Sequence, residues 1–271
     1  RSIPTRVWFR YPLLVAAAVV LLAQPALAGK VLDRVVRTDT LRVGMSGDQP
    51  PLNVIARDGA TIGLEADLAR LIAFGMGVEL QIVNMPFAEL EPALKKGKID
   101  MIMSGMSITP ERARSMAFIG PYMMSGKSLV TRAGLLEEAD ETGDIDSPAV
   151  SIAVLGRSTS ESFVREYAPR AKVVAVANYE EGVRKLLDGE VAAMVADMPA
   201  CAFALLRHPD AGLIALDEPL QIEPIGIAVD ARDAEFRNLL QNYVDVVRDS
   251  ELGAGLSEKW FDEDEWLSLL P

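Results

Sequence analysis

Residues Gly97–Tyr122 read GKIDMIMSGMSITPERARSMAFIGPY, and this stretch combines an apolar run with a turn of small polar residues. Ile99–Met103 is an apolar run of strand length, which is typical of a buried strand in a parallel sheet. Ser104, Gly105 and Ser107 follow directly, where such a strand leaves the sheet. The stretch therefore predicts a polar turn at the carboxyl end of a buried strand.

A helix is predicted to follow that turn. Thr109 is a favoured N-cap residue, and Pro110 would take the first helical position. The free N–H groups and the dipole of a helix N-terminus favour a bound anion, and the Arg112 guanidinium can grip a carboxylate through two parallel hydrogen bonds. These features predict an anion site made of Ser107, Arg112 and backbone donors. The alternative is that Ser104 and Ser107 only complete a turn and Arg112 is a solvated surface charge.

Strand-like and helix-like segments alternate from Leu41 onward, which is the pattern of parallel sheets with crossover helices. The order occurs twice, and Gly97–Met103 corresponds to Gly189–Val195 in the second set. Two similar α/β lobes are therefore predicted. The first set has strands at Leu41–Met45, Val78–Ile82, Ile99–Met103 and Leu129–Thr131, with helices along Leu64–Ile72 and Phe87–Lys96. The second set has strands at Val150–Leu155, Val173–Val176 and Val191–Val195, with helices capped by Ser158 and Asn178.

Three further segments complete this outline. Glu137–Asp146 is a charged, non-periodic connection between the two sets. Ile225–Val229 predicts one more strand, and an amphipathic helix follows it from Phe236 to Val247. A final helix would carry Trp260 and Phe261 as core anchors for the end of the chain.

The two lobes are predicted to present polar residues to each other. Ligands of open α/β sheets bind beyond the carboxyl ends of the strands, where Ser107 in the first lobe and Asp197 in the second occupy equivalent positions. Ser158 and Thr159 add a helix start that bears hydroxyl groups. Arg112, Ser107 and Thr159 would hold a carboxylate and Asp197 an ammonium, the two charged groups of an α-amino acid. Asp197 alone fits a helix N-cap before Pro199 equally well.

Residues 1–28 have the composition of a secretory signal peptide. Arg1, Arg6 and Arg10 precede the apolar stretch Leu13–Ala23, and Ala26-Leu27-Ala28 has the small-x-small form of a cleavage site. We therefore expect export to the periplasm, with an uncleaved N-terminal anchor as the alternative.

The charge balance and the titratable residues narrow the possible functions. The net charge of −12 argues against nucleic acid as a partner. Cys201 is the only cysteine, so no intrachain disulfide is expected, and it lies in an apolar run typical of a core. His208 is the only histidine, which leaves histidine-based metal sites and Ser–His dyads without support. We expect no metal, no cofactor and no enzyme activity.

The chain resembles the periplasmic solute-binding proteins of polar amino acid ABC transporters, known as family 3. The resemblance covers nearly the whole chain after residue 28. Its marks are LRVGMSGDQPPL (Leu41–Leu52), GLEADLARLIA (Gly63–Ala73), KKGKIDMIMSGMSITPER (Lys95–Arg112), GPY (Gly120–Tyr122), VLGRSTSESF (Val154–Phe163), VAAMVADMPA (Val191–Ala200) and EKWF (Glu258–Phe261).

The resemblance implies roles for the residues already singled out. In that family the residue matching Arg112 binds the ligand carboxylate with help from those matching Ser107 and Thr159, and the acid matching Asp197 binds the ammonium. A backbone carbonyl near Ser104–Gly105 commonly contributes. It also implies a type II two-lobe fold with two hinge strands, one lobe of residues 36–130 plus 222–271 and the other of residues 131–221. The expected protein is a monomer that binds a small molecule and delivers it to an inner-membrane permease.

The chain departs from the family around the ligand side chain. Members often carry aromatic residues where this chain has Gln49 and Leu52, so the usual stacking wall is altered. Phe87 matches a pocket position that is frequently aromatic or apolar. Gln49, Leu52, Phe87 and Arg157 are the candidates for side-chain discrimination, and each also fits a turn, core or surface role.

Two other functions fit the same resemblance. Cyclohexadienyl dehydratases resemble this family, and the turn Ser46-Gly47-Asp48 is similar to theirs. Such an enzyme would hold a carboxylate of prephenate or arogenate at Arg112, with Asp48 or Asp197 as a conceivable acid or base. The second of these alternative hypotheses is a sensory or other non-transport binding domain.

Overall fold

The computed structural model describes residues 29–132 and 145–271. Nine strands form one sheet in the order β5-β1-β6-β12-β7-β10-β8-β9, with β11 paired to β7, and three short strands form a second sheet in the order β2-β3-β4. The strands are β1 (Thr40–Met45), β2 (Asp48–Gln49), β3 (Asn53–Ile55), β4 (Thr61–Ile62), β5 (Glu79–Asn84), β6 (Met101–Ile102), β7 (Ala117–Arg132), β8 (Ser151–Leu155), β9 (Lys172–Val176), β10 (Ala193–Asp197), β11 (Leu213–Ala215) and β12 (Gln221–Val229).

The helices lie between these strands and after the last one. The α-helices are α1 (Lys30–Thr38), α2 (Leu64–Met76), α3 (Phe87–Lys95), α4 (Thr159–Tyr167), α5 (Tyr179–Leu187), α6 (Met198–Arg207), α7 (Ala234–Arg248) and α8 (Glu251–Ser257). Short 3₁₀ turns occur at Arg112–Arg114, Pro209–Ala211 and Glu265–Leu269, and a π turn occurs at Glu258–Asp262.

The large sheet contains two parallel units. In the first unit, β1 lies between β5 and β6 and runs parallel to both. In the second unit, β8 lies between β9 and β10 and again runs parallel to both. Both units follow the strand and helix order that the sequence predicts, because their inner strands β1, β6, β8 and β10 are mostly apolar and buried, as in a sheet covered by crossover helices. The predicted mixed α/β fold with two similar lobes is confirmed.

Two long antiparallel strands join the units. β7 pairs with β12 from Ala117 to Lys127 and then with β10 from Lys127 to Thr131. β12 also pairs with β6, so β7 and β12 together connect the first parallel unit to the second. The sequence predicts only the ends of these strands, at Leu129–Thr131 and Ile225–Val229. Lys127 lies where β7 has β12 on one side and β10 on the other.

The helix caps predicted in the second unit are present. The Ser158 hydroxyl accepts a hydrogen bond from the Glu161 backbone N–H, and the Asn178 side chain accepts one from Glu181 N–H. These bonds satisfy backbone donors that a helix N-terminus leaves free, so α4 and α5 begin where the sequence places them.

The prediction of a helix after Thr109 is wrong in its length. Thr109 does accept a hydrogen bond from the Arg112 N–H, but only the single 3₁₀ turn Arg112–Arg114 follows before β7 begins. The preceding residues are already paired with β12, through a bridge between Ser107 and Ile225 and a bond from Ile108 N–H to Pro224 O. Because β7 must return alongside β12 at once, the chain has no length for a longer helix.

The segment after α8 differs from the predicted final helix. Trp260 is buried and donates its indole N–H to Asp67, which makes it the expected core anchor. Phe261 is 40% exposed, so its expected core role is wrong. The two residues are adjacent in a π turn that leaves Trp260 buried and Phe261 exposed to solvent.

Some predictions lie outside the described residues. These are the signal peptide at residues 1–28 and most of the charged connection 137–146. Within residues 29–132 and 145–271, no helix is long and apolar enough to cross a membrane.

Candidate functional site

Polar residues from both parallel units meet at the carboxyl ends of β6, β8 and β10. The Ser107 Oγ from the first unit lies 3.3 Å from the Thr159 Oγ1 of the second. Arg112 donates to the backbone carbonyl of Ser107 at 3.0 Å and to that of Arg157 at 3.4 Å, so it also reaches across. The structure thus brings Thr159 of the second unit to Ser107 and Arg112 of the first, although Thr159 lies more than 40 residues after Arg112 in the sequence.

The Arg112 guanidinium is largely removed from water. Its carbon lies 5.8 Å from the centre of the Phe87 ring, within range of a cation–π contact. Burial lowers the pKa of Arg112, while Glu223, Glu91 and Asp197 act in the opposite direction through their charge. Its hydrogen bonds go to two backbone carbonyls, and among the described residues no carboxylate is within ion-pair distance of it. The guanidinium therefore has donors left for an anion.

Asp197 ends β10 and occupies the N-cap position of α6, yet its side chain makes no capping hydrogen bond. The carboxylate is instead 3.3 Å from the Nζ of Lys127. The helix start that Pro199 predicts is present, but the Asp197 side chain is turned toward the junction of the two units. Its position fits a role in the site better than a role as a cap.

A buried lysine and a buried glutamate complete the charges at the junction. Lys127 Nζ lies 3.1 Å from Glu223 Oε2, and Glu223 Oε2 accepts a hydrogen bond of 2.7 Å from the Thr159 hydroxyl. The strand register explains this arrangement, because Lys127 on β7 is opposite Asp197 on β10 and opposite Gln221, two residues before Glu223, on β12. Directly opposite and diagonal residues of neighbouring strands share a face. We call Arg112, Lys127, Asp197 and Glu223 the junction cluster.

The two acids of the junction cluster have opposite pKa shifts. Burial raises the pKa of Asp197 and the charge of Glu223 raises it further, although Lys127 opposes both effects. Burial also disfavours the ionised form of Glu223, but the charge of Lys127 and hydrogen bonds from Ser107 and Thr159 outweigh it and lower its pKa. Glu223 is therefore the anion that Lys127 neutralises most strongly, and Asp197 is the acid more readily protonated.

Hydrogen bonds to buried side chains and to Ser46 hold the turn after β6 in place. The Ser104 hydroxyl is buried, donates to the Ser46 hydroxyl and accepts from the Ser46 N–H, both at 2.9 Å. The Gly105 N–H donates to the buried Glu65 carboxyl at 2.8 Å. Gln49 is buried against Gly105, whose φ of +57° and lack of a side chain leave room for it. Ser104 thus has its hydroxyl engaged, so only its backbone carbonyl would be available to a ligand.

The remaining candidates have structural contacts of their own. Ser158 caps α4, as described above. Leu52 is buried beside Leu64 and Trp260, so it belongs to a small core cluster. Arg157 donates to the Ala88 carbonyl at 3.2 Å, which forms another contact between the two units.

A third acid lies at the junction, in β2. The Asp48 Oδ2 accepts a hydrogen bond of 3.3 Å from the backbone N–H of Tyr179, at the start of α5 in the second unit. Burial raises the pKa of Asp48, against smaller opposing effects of hydrogen bonds from Ser46 and Tyr179. Asp48 therefore docks one unit onto a helix N-terminus of the other.

The structure gives the other singled-out residues no chemical role. Cys201 is buried, and burial raises the pKa of its thiol to about 12, so it is a core residue as expected. His208 follows the last residue of α6. In the described part of the chain, no group of three or more His, Cys, Asp or Glu side chains is arranged to hold a metal ion.

The fold and the junction define a class, the two-lobe α/β binding proteins whose site lies between the lobes. Within that class, the chain belongs to family 3 of the bacterial extracellular solute-binding proteins, whose family model matches residues 41–263. The resemblance stated from the sequence is confirmed.

Relatives of known function include both an enzyme and binding proteins. The chain is 25% identical to the cyclohexadienyl dehydratase of Pseudomonas aeruginosa over 94% of its own length and 95% of the relative's. It is 28% identical to the L-arginine-binding protein of the same organism, over 83% of the chain and 88% of the relative. It is 24% identical to the ABC transporter arginine-binding protein 1 of Escherichia coli, over 83% and 92%.

Solved structures show the same shape. One is an ancestral amino acid-binding protein, a precursor of cyclohexadienyl dehydratase, with 31% identity, a TM-score of 0.78, and 86% of this chain and all of that chain covered. Another is the binding component of an ABC transporter from Wolinella succinogenes in complex with lysine, with 30% identity, a TM-score of 0.79 and coverage of 85% and 99%.

Sequence reasoning missed Lys127, Glu223 and Glu65. A lysine inside the strand-like run SGKSLVTR and a glutamate between the apolar residues of QIEPIGIAV are the available signals. A charged residue on the buried face of a strand needs a partner of opposite charge. The sequence does not show which strands are neighbours, so it does not identify that partner.

Proposed function

We propose that this chain is the periplasmic substrate-binding component of an ABC transporter and that it captures an amino acid or a similar small carboxylate between its lobes. The single observation that carries this proposal is the Arg112 guanidinium. It is desolvated at the junction of the two units, stacked on Phe87, and lacks a carboxylate partner among the described residues. A buried cation of this kind gains most from an anionic ligand.

Closure of the lobes is the proposed mechanism. A ligand held first by one lobe gains contacts from the other only in the closed form, so it shifts the equilibrium toward closure. The residues that meet across the junction supply those contacts: Ser107 and Arg112 from the first unit, Thr159 and Asp197 from the second. Ser104, Gly105, Ser158, Phe87 and Gln49 are proposed to line the same site.

The lobe boundaries and the partner belong to the same proposal. One lobe would consist of residues 36–130 plus 222–271 and the other of residues 131–221, with β7 and β12 as the hinges. The partner would be an inner-membrane permease that reads the closed shape, and the family supports this. A sensor would read the same closed shape, and we propose the permease because the binding-protein relatives are named for ABC transporters.

The test is a thermal-shift screen of the purified protein against amino acids and small carboxylates. A ligand that binds only the folded state raises the melting temperature. The best ligand is then measured by calorimetry and by small-angle scattering. We expect binding accompanied by contraction, with the ligand recovered unchanged. Binding without contraction, or no ligand in either class, would contradict the proposal.

A second candidate is a dehydratase that acts on prephenate or arogenate. Two observations favour it: the similarity to the Pseudomonas aeruginosa enzyme over nearly the whole chain, and the buried Asp48, whose raised pKa suits an acid at the junction. Incubation with prephenate or arogenate should then yield a product with new aromatic absorbance. Turnover that Arg112→Ala abolishes would replace the transport proposal; no turnover would leave the binding proposal as the one supported.

A further inference from the structure

Two of the groups expected to bind an α-amino acid, Asp197 and Thr159, already have charged partners within this chain. The ammonium of Lys127 lies 3.3 Å from Asp197, the acid expected to take a ligand ammonium. The carboxylate of Glu223 accepts a hydrogen bond of 2.7 Å from the Thr159 hydroxyl, which was expected to help hold a ligand carboxylate. Lys127 therefore occupies the place expected for a ligand ammonium beside Asp197, whereas the Arg112 guanidinium has no carboxylate partner among the described residues.

Lys127 is held firmly in this position. Its side chain is 1% exposed, and its Nζ is within 3.3 Å of three oxygens, those of Asp197, Glu223 and Ser160. An ammonium has three N–H groups, so each has an acceptor. A second ammonium at Asp197 would lie beside the first in a region from which water is excluded, where like charges repel strongly.

We propose that Lys127 sets the ligand class of this site: the protein takes a small carboxylate without an α-ammonium, bound at Arg112, because Lys127 fills the place beside Asp197. This inference rests on the proposed function, since it concerns the same site. Glu223 is a positioning residue here, because it holds the Lys127 ammonium and engages Thr159. Arg112, which has no carboxylate partner in the described chain, supplies the charge for the ligand.

The charges of the junction cluster agree with such a ligand. Asp197 and Glu223 both lie within 3.3 Å of the Lys127 ammonium, so these two acids are paired with that lysine. No carboxylate of the described residues lies within ion-pair distance of Arg112. The positive charge of Arg112 is therefore available to a single ligand carboxylate.

The experiment compares ligand pairs that differ only in the α-amino group. The pairs are L-leucine with 4-methylpentanoate, L-phenylalanine with 3-phenylpropanoate, L-glutamine with 4-carbamoylbutanoate and L-arginine with 5-guanidinopentanoate. Each is titrated calorimetrically into the full chain, into Lys127→Met and into Lys172→Met. Lys172 is an exposed lysine in β9 and serves as the matched control. We expect the wild type to bind at least one deaminated acid tenfold or more tightly than its amino acid.

Lys127→Met should move the affinity ratio of that pair at least tenfold toward the amino acid, whereas Lys172→Met should leave it unchanged. If the single variant fails to fold, Lys127→Met combined with Glu223→Gln removes both charges and answers the same question. A wild-type preference for the amino acid in every pair that binds would overturn the inference. So would a ratio that the Lys127 variants do not change, or binding of no probe by any of the folded proteins.

Arg112→Ala separates failure of this inference from failure of the proposed function. If Arg112→Ala weakens binding strongly and the Lys127 variants leave the ratio unchanged, the carboxylate site stands and the role of Lys127 is wrong. If Arg112→Ala binds with the affinity of the wild type, the proposed function itself is wrong.

Discussion

Two groups of charged residues lie at opposite ends of the first parallel unit, and their contacts differ: one is paired within that unit, and the other is the proposed ligand site between the two units. Asp100 lies just before β6 and pairs with Arg42 of β1 and Arg34 of α1. Both of its oxygens accept hydrogen bonds, and one of the donors is the Arg42 backbone N–H. We call these three residues the Asp100 cluster. Its single carboxylate has two cations, and all three residues belong to one unit.

The junction cluster differs in both respects. Its residues come from both units and lie near the carboxyl ends of the strands. Two acids share one lysine, while Arg112 has no carboxylate partner among the residues that the structure describes. The carboxylate of the Asp100 cluster leaves no acceptor for a ligand, and its position at the amino ends of the strands is the end where α/β proteins do not place ligands. An unmatched cation between two units is suited to binding an anion, and a carboxylate that is paired within one unit is suited to holding that unit together.

The comparison is tested most strongly by Asp100→Ala. Removal of the carboxylate leaves two arginines that are partly buried, with side chains about 22% and 23% exposed, without their partner. We expect a loss of about 3 kcal/mol in the free energy of unfolding, at the lower end of the range for a broken buried pair because water reaches both arginines. Urea denaturation provides the measurement, and ligand affinity should be unchanged.

Asp249→Ala is the control for Asp100→Ala, since it removes an acid that pairs with Arg248 on the surface. The denaturation midpoint of that variant should match the wild type. An equal loss of stability in the two variants, or a loss of ligand binding in Asp100→Ala, would mean that the two clusters are not distinct in role.

Arg112→Ala should give the complementary result. Loss of the guanidinium is expected to weaken ligand binding by about 2–5 kcal/mol, because a desolvated carboxylate is left without its partner. The free energy of unfolding should change by less than about 1 kcal/mol, since no ion pair is broken. Arg114→Ala in the same 3₁₀ turn is exposed and is the matched control, with unchanged affinity expected. Comparable affinity losses in both variants would remove Arg112 from the site.

The sequence predicts the two parallel units and their helix caps better than it predicts the buried charges of the junction cluster. The strands of both parallel units, the caps at Ser158 and Asn178, and the meeting of Ser107 with Thr159 follow from local pattern and from the rule that ligand sites lie at strand ends. Lys127 and Glu223 do not follow, because their contact depends on the pairing of β7 with β12, segments about 100 residues apart in the chain. The register of such pairs is set by the whole fold, not by either segment.

Glu65 supplies a test with a pH dependence. This buried acid accepts hydrogen bonds from Gly105 N–H, the Asn53 amide and the Tyr122 hydroxyl, and it supports the turn that carries Ser107. Burial raises its pKa against the effect of those bonds. Above about pH 4.3 the unfolded state loses this proton first, so the folded state binds more protons and Glu65 contributes less stability as the pH rises.

Glu65→Gln should remove that dependence. The stability of the wild type relative to the variant is expected to fall as the pH increases from about 4.3, as measured by denaturation at a series of pH values. At neutral pH the variant should lose about 1–3 kcal/mol, because the Gln amide meets a donor where the carboxylate accepts. A difference that rises with pH would mean that the hydrogen bonds outweigh burial at this acid.

The smallest expected effect concerns Asp48, the acid that meets a helix N-terminus rather than a cation. Its contact with Tyr179 N–H joins the two units. Burial raises the pKa of Asp48, so burying its charged form between the units costs free energy, even though the dipole of α5 attracts that charge by up to about 1 kcal/mol. Asp48→Asn keeps an oxygen acceptor and removes the charge, and it should tighten ligand binding by on the order of 0.5 kcal/mol at neutral pH.

Asp48→Ala removes the acceptor and should weaken binding. Calorimetry on both variants, with Asp58→Asn in the neighbouring exposed turn as the control, provides the comparison. Weaker binding in Asp48→Asn would show that the helix needs the charge and that this third acid acts as an ionic contact, like the acids of the junction cluster.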